Sequence, residues 1–304
     1  MQKMAKTHIP VCPLCTCTNC EILIESRNST YYSCHSICPN CTLVFQPNQP
    51  TERDLSEYYG QFYKSVLNRD DASINSPSAK AMRNTNIKSR RIWNFYSEIM
   101  NKSTPITGNI LDIGASTGNL LNLAKGNGFN TFGVEPNENF AQFAKAQGHQ
   151  IEIGLFTKDS FSTLMFDTIF LVHVLEHVAN PLETLKLAKE RLAANGTLIL
   201  EVPNLFKPNG RLEEFFSYPH LFTFNKITLS NIVEKAGFSI IKIDDRFPHL
   251  RLMAKTDRGE HKQPTKIQSL PVKKIKQRLR YYDMLFQYSS LPLRALRRLS
   301  LLRY

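Results

Sequence analysis

The sequence predicts an α/β fold, an open and largely parallel sheet flanked by helices, with a small cysteine module before it and a basic tail after it. Three observations carry that expectation. The stretch Asn109-Ile-Leu-Asp-Ile-Gly-Ala-Ser-Thr-Gly-Asn119 reads as a short buried strand passing through a glycine turn into a helix, the unit on which open α/β sheets build cofactor cradles. Further short apolar runs alternate with helical stretches, as βαβ units require. All seven cysteines precede residue 42.

Length and composition bound the rest. A chain of 304 residues holds one full α/β domain plus a small module. Apolar residues make up 42%, without a run of 18 and without an apolar stretch at the N-terminus. We therefore expect no membrane-spanning helix, no secretory signal and a cytoplasmic location. Paired cysteines in such a chain suit metal binding better than disulfides. The net charge of +12 is uneven: residues 262–304 carry eleven Lys/Arg against Asp283 alone, a balance of +10. The body is nearly neutral, and the basicity belongs to the tail.

In the N-terminal module, Val11-Cys-Pro-Leu-Cys15 and Ile37-Cys-Pro-Asn-Cys41 match as apolar-Cys-Pro-x-Cys. Two such knuckles can place Cys12, Cys15, Cys38 and Cys41 around one structural Zn²⁺. Cys17 and Cys20 form a rival pair for Cys12 and Cys15, and Cys34 is left over. Glu21–Glu25 and Thr30–Ser33 have the strand character of the intervening hairpin. Residues 1–60 carry no basic stripe, so no nucleic-acid partner is expected. Polar residues 64–82 read as a linker or flap, and Ile87–Met100 carries a helical apolar stripe.

The glycine turn narrows the cofactor. Ser116 breaks a Gly-x-Gly-x-x-Gly dinucleotide fingerprint, and Asn119 after Gly118 excludes a phosphate-binding P-loop. Thr131–Glu135 is the next strand, ending in a carboxylate 23 residues after Asp112 that can accept from both ribose hydroxyls. Pro136 stops that strand and Asn137 caps a helix over Glu138–Gln147. Gln150–Ile153 is a third strand, followed by Gly154-Leu-Phe156. Phe166–Val172 is an apolar central strand leading to His173-Val-Leu-Glu-His-Val178, where Glu176 and His177 read as local hydrogen-bonding groups. Asn180-Pro181 opens a helix reaching about Ala193, and Thr197–Val202 is the fifth strand. Leu205–Phe222 is an insertion long enough to be functional. A helix over Asn225–Lys235 and strands Phe238–Ile243 and Leu250–Ala254 complete the domain.

The Asp-x-Gly-x-x-x-Gly spacing with Glu135 resembles the first motifs of class I S-adenosylmethionine-dependent methyltransferases. That resemblance implies a Rossmann-like seven-stranded sheet whose last strand runs antiparallel. It also implies S-adenosylmethionine contacts at Asp112, Gly114, Ala115, Ser116, Gly118, Glu135, Pro136, Phe156 and His173. The cysteine knuckles, with Cys41-Thr-Leu-Val-Phe45 and Pro50–Tyr59, look like the zinc ribbon and following helix of a bacterial methyltransferase group tied to cell-surface glycans and natural products. Thr42 stands where that group usually has Gly. Ser217-Tyr-Pro-His-Leu-Phe-Thr-Phe224 is similar to the segment carrying the proposed base in that group's sugar methyltransferases. This implies His220 as base, oriented by Tyr218 or Glu214, although Pro219 replaces an acid common in the relatives.

The expected layout is a zinc-ribbon module over 8–48, a helix and linker over 49–84, the methyltransferase domain over 85–258 and a basic helical tail over 259–304. The expected reaction is O- or C-methylation of a sugar, glycan precursor or related small molecule. The alternatives are a nucleic-acid methyltransferase and a non-catalytic cofactor-binding scaffold. The fourth strand lacks the Asn/Asp-Pro-Pro-aromatic signature of amino-group DNA methylation. For residues 270–304, docking on the body or a solvated basic tail stands beside an interfacial helix on the inner face of an anionic membrane.

Overall fold

The computed structural model describes residues 6–8, 11–28, 31–51, 53–55, 58, 79–100, 108–208, 210–256 and 267–287. Its N-terminal part contains β1 (Lys6–His8), β2 (Glu21–Asn28), β3 (Tyr31–Ile37), β4 (Val44–Phe45) and β5 (Asn48–Pro50). Strands β2 and β3 form the antiparallel hairpin the sequence suggests, and β4 pairs on the other edge of β3. Helix α1 (Ala79–Met100) begins inside the stretch read as linker and places Ile92, Phe95 and Tyr96 in the core.

The central sheet then accumulates as β6 (Asn109–Ile113), α2 (Asn119–Gly126), β7 (Asn130–Glu135), α3 (Glu138–Ala146), β8 (Gln150–Ile153), β9 (Phe166–Val172), α4 (Pro181–Arg191) and β10 (Leu192–Pro203). After the insertion, which contains α5 (Leu212–Phe215) and β11 (Phe222–Thr223), come α6 (Lys226–Lys235), β12 (Phe238–Asp244) and β13 (His249–Thr256). The strand order is β12-β13-β10-β9-β6-β7-β8. Neighbours from β10 to β8 are parallel, whereas β13 is antiparallel to both β10 and β12. This is the seven-stranded mixed sheet with one reversed strand that the resemblance implies. The reversal of β13 follows from the short connection after β12, because parallel strands need a long crossover.

Local chemistry explains the element ends. Asn137 accepts from the Phe140 N–H, Asn180 from that of Glu183, and Asn225 closes a capping box with Thr228. The sequence reading carries α4 to Ala193; the structure stops it at Arg191, because Leu192 already pairs with Phe166 ahead of a bulge in β10. Nor is the insertion a free loop. Phe222 and Thr223 of β11 add an edge strand to β4, so the insertion completes the four-stranded sheet of the cysteine module, which is separate from the seven-stranded sheet.

Helix α7 (Val272–Gln287) docks on this junction through the buried Ile275 and Leu279, which join Ile37, Val44, Leu205 and Phe216 in one apolar cluster. Lys276 pairs with Glu21 at 3.0 Å, and the Arg278 guanidinium lies over the Phe206 ring. The first basic stretch of the tail is therefore packed on the body. The second, 293–302, lies outside the described residues, as does the segment 59–78. Among the described residues no helix is long and apolar enough to cross a membrane.

Candidate active site

The site lies at the carboxyl ends of β6, β7, β9 and β10, where an open α/β sheet leaves a crevice. Gly114 and Gly118 adopt φ of 78° and 76°, and Ser116 between them is also left-handed at 49°. A Cβ on Gly114 would meet Cγ2 of Val174 at 2.6 Å, so the turn after β9 packs directly on the glycine turn. The N–H groups of Gly114 and Ala115 are turned onto the Val134 carbonyl. The Ser116 N–H donates to one carboxylate oxygen of Glu135 and the Asn137 N–H to the other, both at 2.8 Å. Those bonds fix the Glu135 carboxylate beside the turn and leave each oxygen a second lone pair.

Asp112 is buried near the end of β6, and its Oδ1 has no hydrogen-bond partner among the described residues. Burial, and then the nearby Glu135 charge, push its carboxyl well above the usual range; burial also raises Glu135. Two buried acids facing one crevice suit a ligand that brings hydroxyl donors and positive charge. The ribose hydroxyls, ammonium and sulfonium of S-adenosylmethionine supply both, so these residues fit that cofactor. Pro136 follows Glu135 directly in sequence, and the half-buried Phe156 packs against the main core.

His173, expected as a cofactor contact, is held by its own neighbours at the end of β9. At φ 57° its ring is clamped between two carboxylates, with Nδ1 3.1 Å from Oε1 of Glu176 and Nε2 3.2 Å from Oε1 of Glu201. Burial alone would lower its pKa, but the two glutamates outweigh burial and lift it to about 9. Burial likewise works against ionisation of Glu176 and Glu201, yet neighbouring histidines hold both near 2. Glu201 is further paired to Arg251 at 2.6 Å, and the His249 ring stands edge-on to His173 at 4.7 Å. Sequence reasoning missed Glu201, His249 and Arg251. The available signal was a lone acid within the apolar run Leu198-Ile-Leu-Glu-Val202.

His220 reaches the same crevice from the insertion. The backbone N–H groups of Leu221 and Phe222 both donate to the Glu176 carbonyl, which ties the two segments together. His177 donates from Nδ1 to the Pro219 carbonyl at 2.9 Å, and its ring lies 5.0 Å from that of His220. His220 donates from Nδ1 to the Phe215 carbonyl at 3.1 Å. That carbonyl orients the ring; of the two residues expected to do so, the Tyr218 ring packs against Tyr58, and Glu214 is exposed. Burial, then the His177 charge, depress His220 to about 4, so its imidazole is neutral at pH 7.

The cysteine module buttresses this segment. Gln46 donates from Nε2 to the carbonyls of Tyr218 and His220, His35 donates to the His220 carbonyl, and Ser33 to that of Phe216. Within the module, Sγ of Cys12 lies 3.4 Å from that of Cys41, and Cys15 the same distance from Cys38. The four sulfurs lie within 4.8 Å of one another, the scale of a tetrahedron with Zn–S bonds of about 2.3 Å. Both knuckles close alike, by Thr16 N–H to Cys12 O and Thr42 N–H to Cys38 O. Thr16 and Thr42 take φ of 60° and 62°, where Gly is the easier residue, and each hydroxyl bonds the preceding cysteine's carbonyl. Cys17, Cys20 and Cys38 form a second convergent group.

The sequence profile of the family described as methyltransferase domain matches residues 77–243. No curated protein sequence matches the chain. Among solved structures, the chain is similar to an S-adenosylmethionine-dependent methyltransferase from Archaeoglobus fulgidus, with 18% identity, 66% of this chain and 100% of that chain covered, and a TM-score of 0.49. An S-adenosylmethionine-dependent methyltransferase from Mesorhizobium loti shares 14% identity over 53% of this chain and 96% of that one, with a TM-score of 0.43. An O-methyltransferase family protein from Burkholderia thailandensis shares 12% over 60% and 61%, with a TM-score of 0.45. The family match covers more than half of the sequence, and the chain belongs to the methyltransferase domain family as an S-adenosylmethionine-dependent methyltransferase.

Proposed function

We propose that this enzyme methylates an oxygen or carbon of a sugar, glycan precursor or related small molecule. The observation that carries this reading is the packing of Val174 on Gly114, which brings Glu176, His177 and, through the Glu176 carbonyl, His220 to the edge of the cofactor cradle. An acceptor there meets imidazoles and a carboxylate, groups that bind hydroxyls and handle their protons. Asp112, Gly114, Ala115, Ser116, Gly118, Glu135 and Pro136 form the cradle, with Glu135 on the ribose and Phe156 beside the adenine. S-adenosylmethionine supplies an activated methyl group; the residues align the acceptor with it and exclude water. His220 takes the acceptor's proton, and Tyr218 shapes the wall behind it.

Cys12, Cys15, Cys38 and Cys41 hold a structural Zn²⁺ that stiffens the module supporting the His220 segment. The near-neutral body outside the tail supports a small or glycan substrate over nucleic acid. Exposed Lys273, Lys274, Arg278 and Arg280 on α7 offer an anionic membrane a basic face without leaving the body.

The direct test is His220→Ala. We expect unchanged S-adenosylmethionine affinity and turnover about 10²-fold lower or more, the usual size of a lost general base. Unchanged turnover contradicts the assignment.

A further inference from the structure

Glu176, His177 and His220 converge more closely than a base and its neighbours require. One ligand-capable atom from each lies within 4.8 Å of those from the other two. Each histidine spends Nδ1–H on a backbone carbonyl, Pro219 for His177 and Phe215 for His220, which fixes the tautomer with the lone pair on Nε2. Nε2 of His177 lies 3.7 Å from Oε1 of Glu176. On Glu176, Oε1 is taken by His173, while Oε2 is buried with no hydrogen-bond partner among the described residues. Imidazoles anchored through Nδ1 to carbonyls, and a carboxylate held by a neighbouring ring, are how proteins orient metal ligands. The segments are also pre-organised, since Leu221 and Phe222 N–H both grip the Glu176 carbonyl.

We propose that Glu176, His177 and His220 bind one divalent transition-metal ion, which holds the acceptor's hydroxyl beside the cofactor cradle. Two imidazoles and one carboxylate with a position left open are the donor set of catalytic zinc and related ions, whereas Mg²⁺ and Ca²⁺ favour all-oxygen sites. The neighbouring trio His173, Glu201 and His249 also converges within 4.8 Å. There, however, both carboxylate oxygens of Glu201 are already engaged, Oε1 by His173 at 3.2 Å and Oε2 by Arg251 at 2.6 Å. The partly exposed His177 gives the first site a path to solvent.

This inference rests on the reading of the substrate as a hydroxyl compound. Bound to the ion, the acceptor hydroxyl loses its proton to water more readily. Its oxygen then forms the bond to the methyl carbon while the carbon–sulfur bond breaks, and the electron pair leaves with sulfur as S-adenosylhomocysteine. With the ion bound, His220 serves the loss of the acceptor's proton as a ligand of the ion instead of as the free base, and the fall in turnover expected of His220→Ala holds in both cases.

The test is Co²⁺ titration by calorimetry and visible absorption. It uses the full chain after dialysis against a chelator too weak to strip a four-thiolate site. The wild type is compared with the His177→Ala/His220→Ala double variant and with Glu176→Gln. We expect the wild type to take up one Co²⁺ per chain more than the double variant, without a thiolate charge-transfer band. In Glu176→Gln that binding should weaken about 100-fold or more. Retained S-adenosylmethionine affinity identifies folded variants, and Glu176→Gln serves if the double variant loses it. Equal uptake in the wild type and the folded variants overturns the site. Ion uptake without label transfer to any hydroxyl compound leaves the site standing and contradicts the substrate reading instead.

Discussion

The buried side chain of His35 donates from Nε2 to the carbonyl of His220, 2.9 Å away, across 185 residues of sequence. The cysteine module is thereby part of the wall of the candidate site. Burial holds His35 near pKa 4, so it stays a neutral donor at pH 7. We predict that His35→Ala destabilises the protein by about 1–3 kcal/mol, the cost of a lost buried hydrogen bond. A small displacement of a reacting group is costly, so turnover should fall roughly tenfold while cofactor affinity is kept. Steady-state kinetics beside S-adenosylmethionine calorimetry checks this; a loss confined to cofactor binding would contradict it.

Gly114 and Gly126 offer a matched pair. An Ala at 114 sits at φ 78° with its Cβ 2.6 Å from the stiff Val174 side chain, whereas an Ala at 126 meets nothing within 4 Å. Gly114→Ala is expected to weaken S-adenosylmethionine binding at least about tenfold through the strained turn. Gly126→Ala should leave it unchanged. Equal affinities in the two variants would remove the glycine turn from the cofactor site.

The stability of the metal-free protein should peak near pH 6.5. His173 has a folded pKa of about 9, above the unfolded value of about 6.5. Its contribution is complete below the unfolded value and is lost as pH rises towards 9. His35, depressed by burial to about 4, acts with the opposite sign. Its contribution is complete above pH 6.5 and shrinks as pH falls towards 4. Glu176 and Glu201, near 2 in the folded state, add a further loss at lower pH. Urea midpoints from pH 4 to 9 test the profile; a flat line from 6.5 to 9 would contradict the clamped, charged His173.

Arg251→Met leaves the buried Glu201 with His173 as its charged neighbour. Removing one partner of a buried pair costs about 3–5 kcal/mol. We expect the low end of that range, because His173 compensates in part. Urea denaturation measures it, and a loss below about 1 kcal/mol would show that the Arg251 contact matters little.

Much of this fold was legible because its signals are local. The glycine turn, the Asn caps and the apolar runs act within a few residues of themselves, so the order of strands and helices followed from them. The reversed β13 came from the family resemblance. The Cys-Pro-x-Cys knuckles were equally readable, down to the Thr42 departure, whose left-handed backbone the structure explains. The insertion was not. Its β11 pairs with β4, and its carbonyls are held by His35 and Gln46, partners far away in sequence. The carboxylates around His173 were hidden for the same reason: Glu201 sits in an apolar strand, and its relation to His173 exists only once β9 and β10 lie side by side.

The measurement that tests the central claim most directly is label transfer. The purified full chain is incubated with methyl-labelled S-adenosylmethionine and a fractionated extract of the source cells, with His220→Ala in parallel. The account predicts label in nucleotide-sugar, glycan or small hydroxylated fractions with the wild type, and about 10²-fold less with the variant. Label in RNA or DNA would contradict it and make the cysteine module and the basic tail the substrate-binding parts.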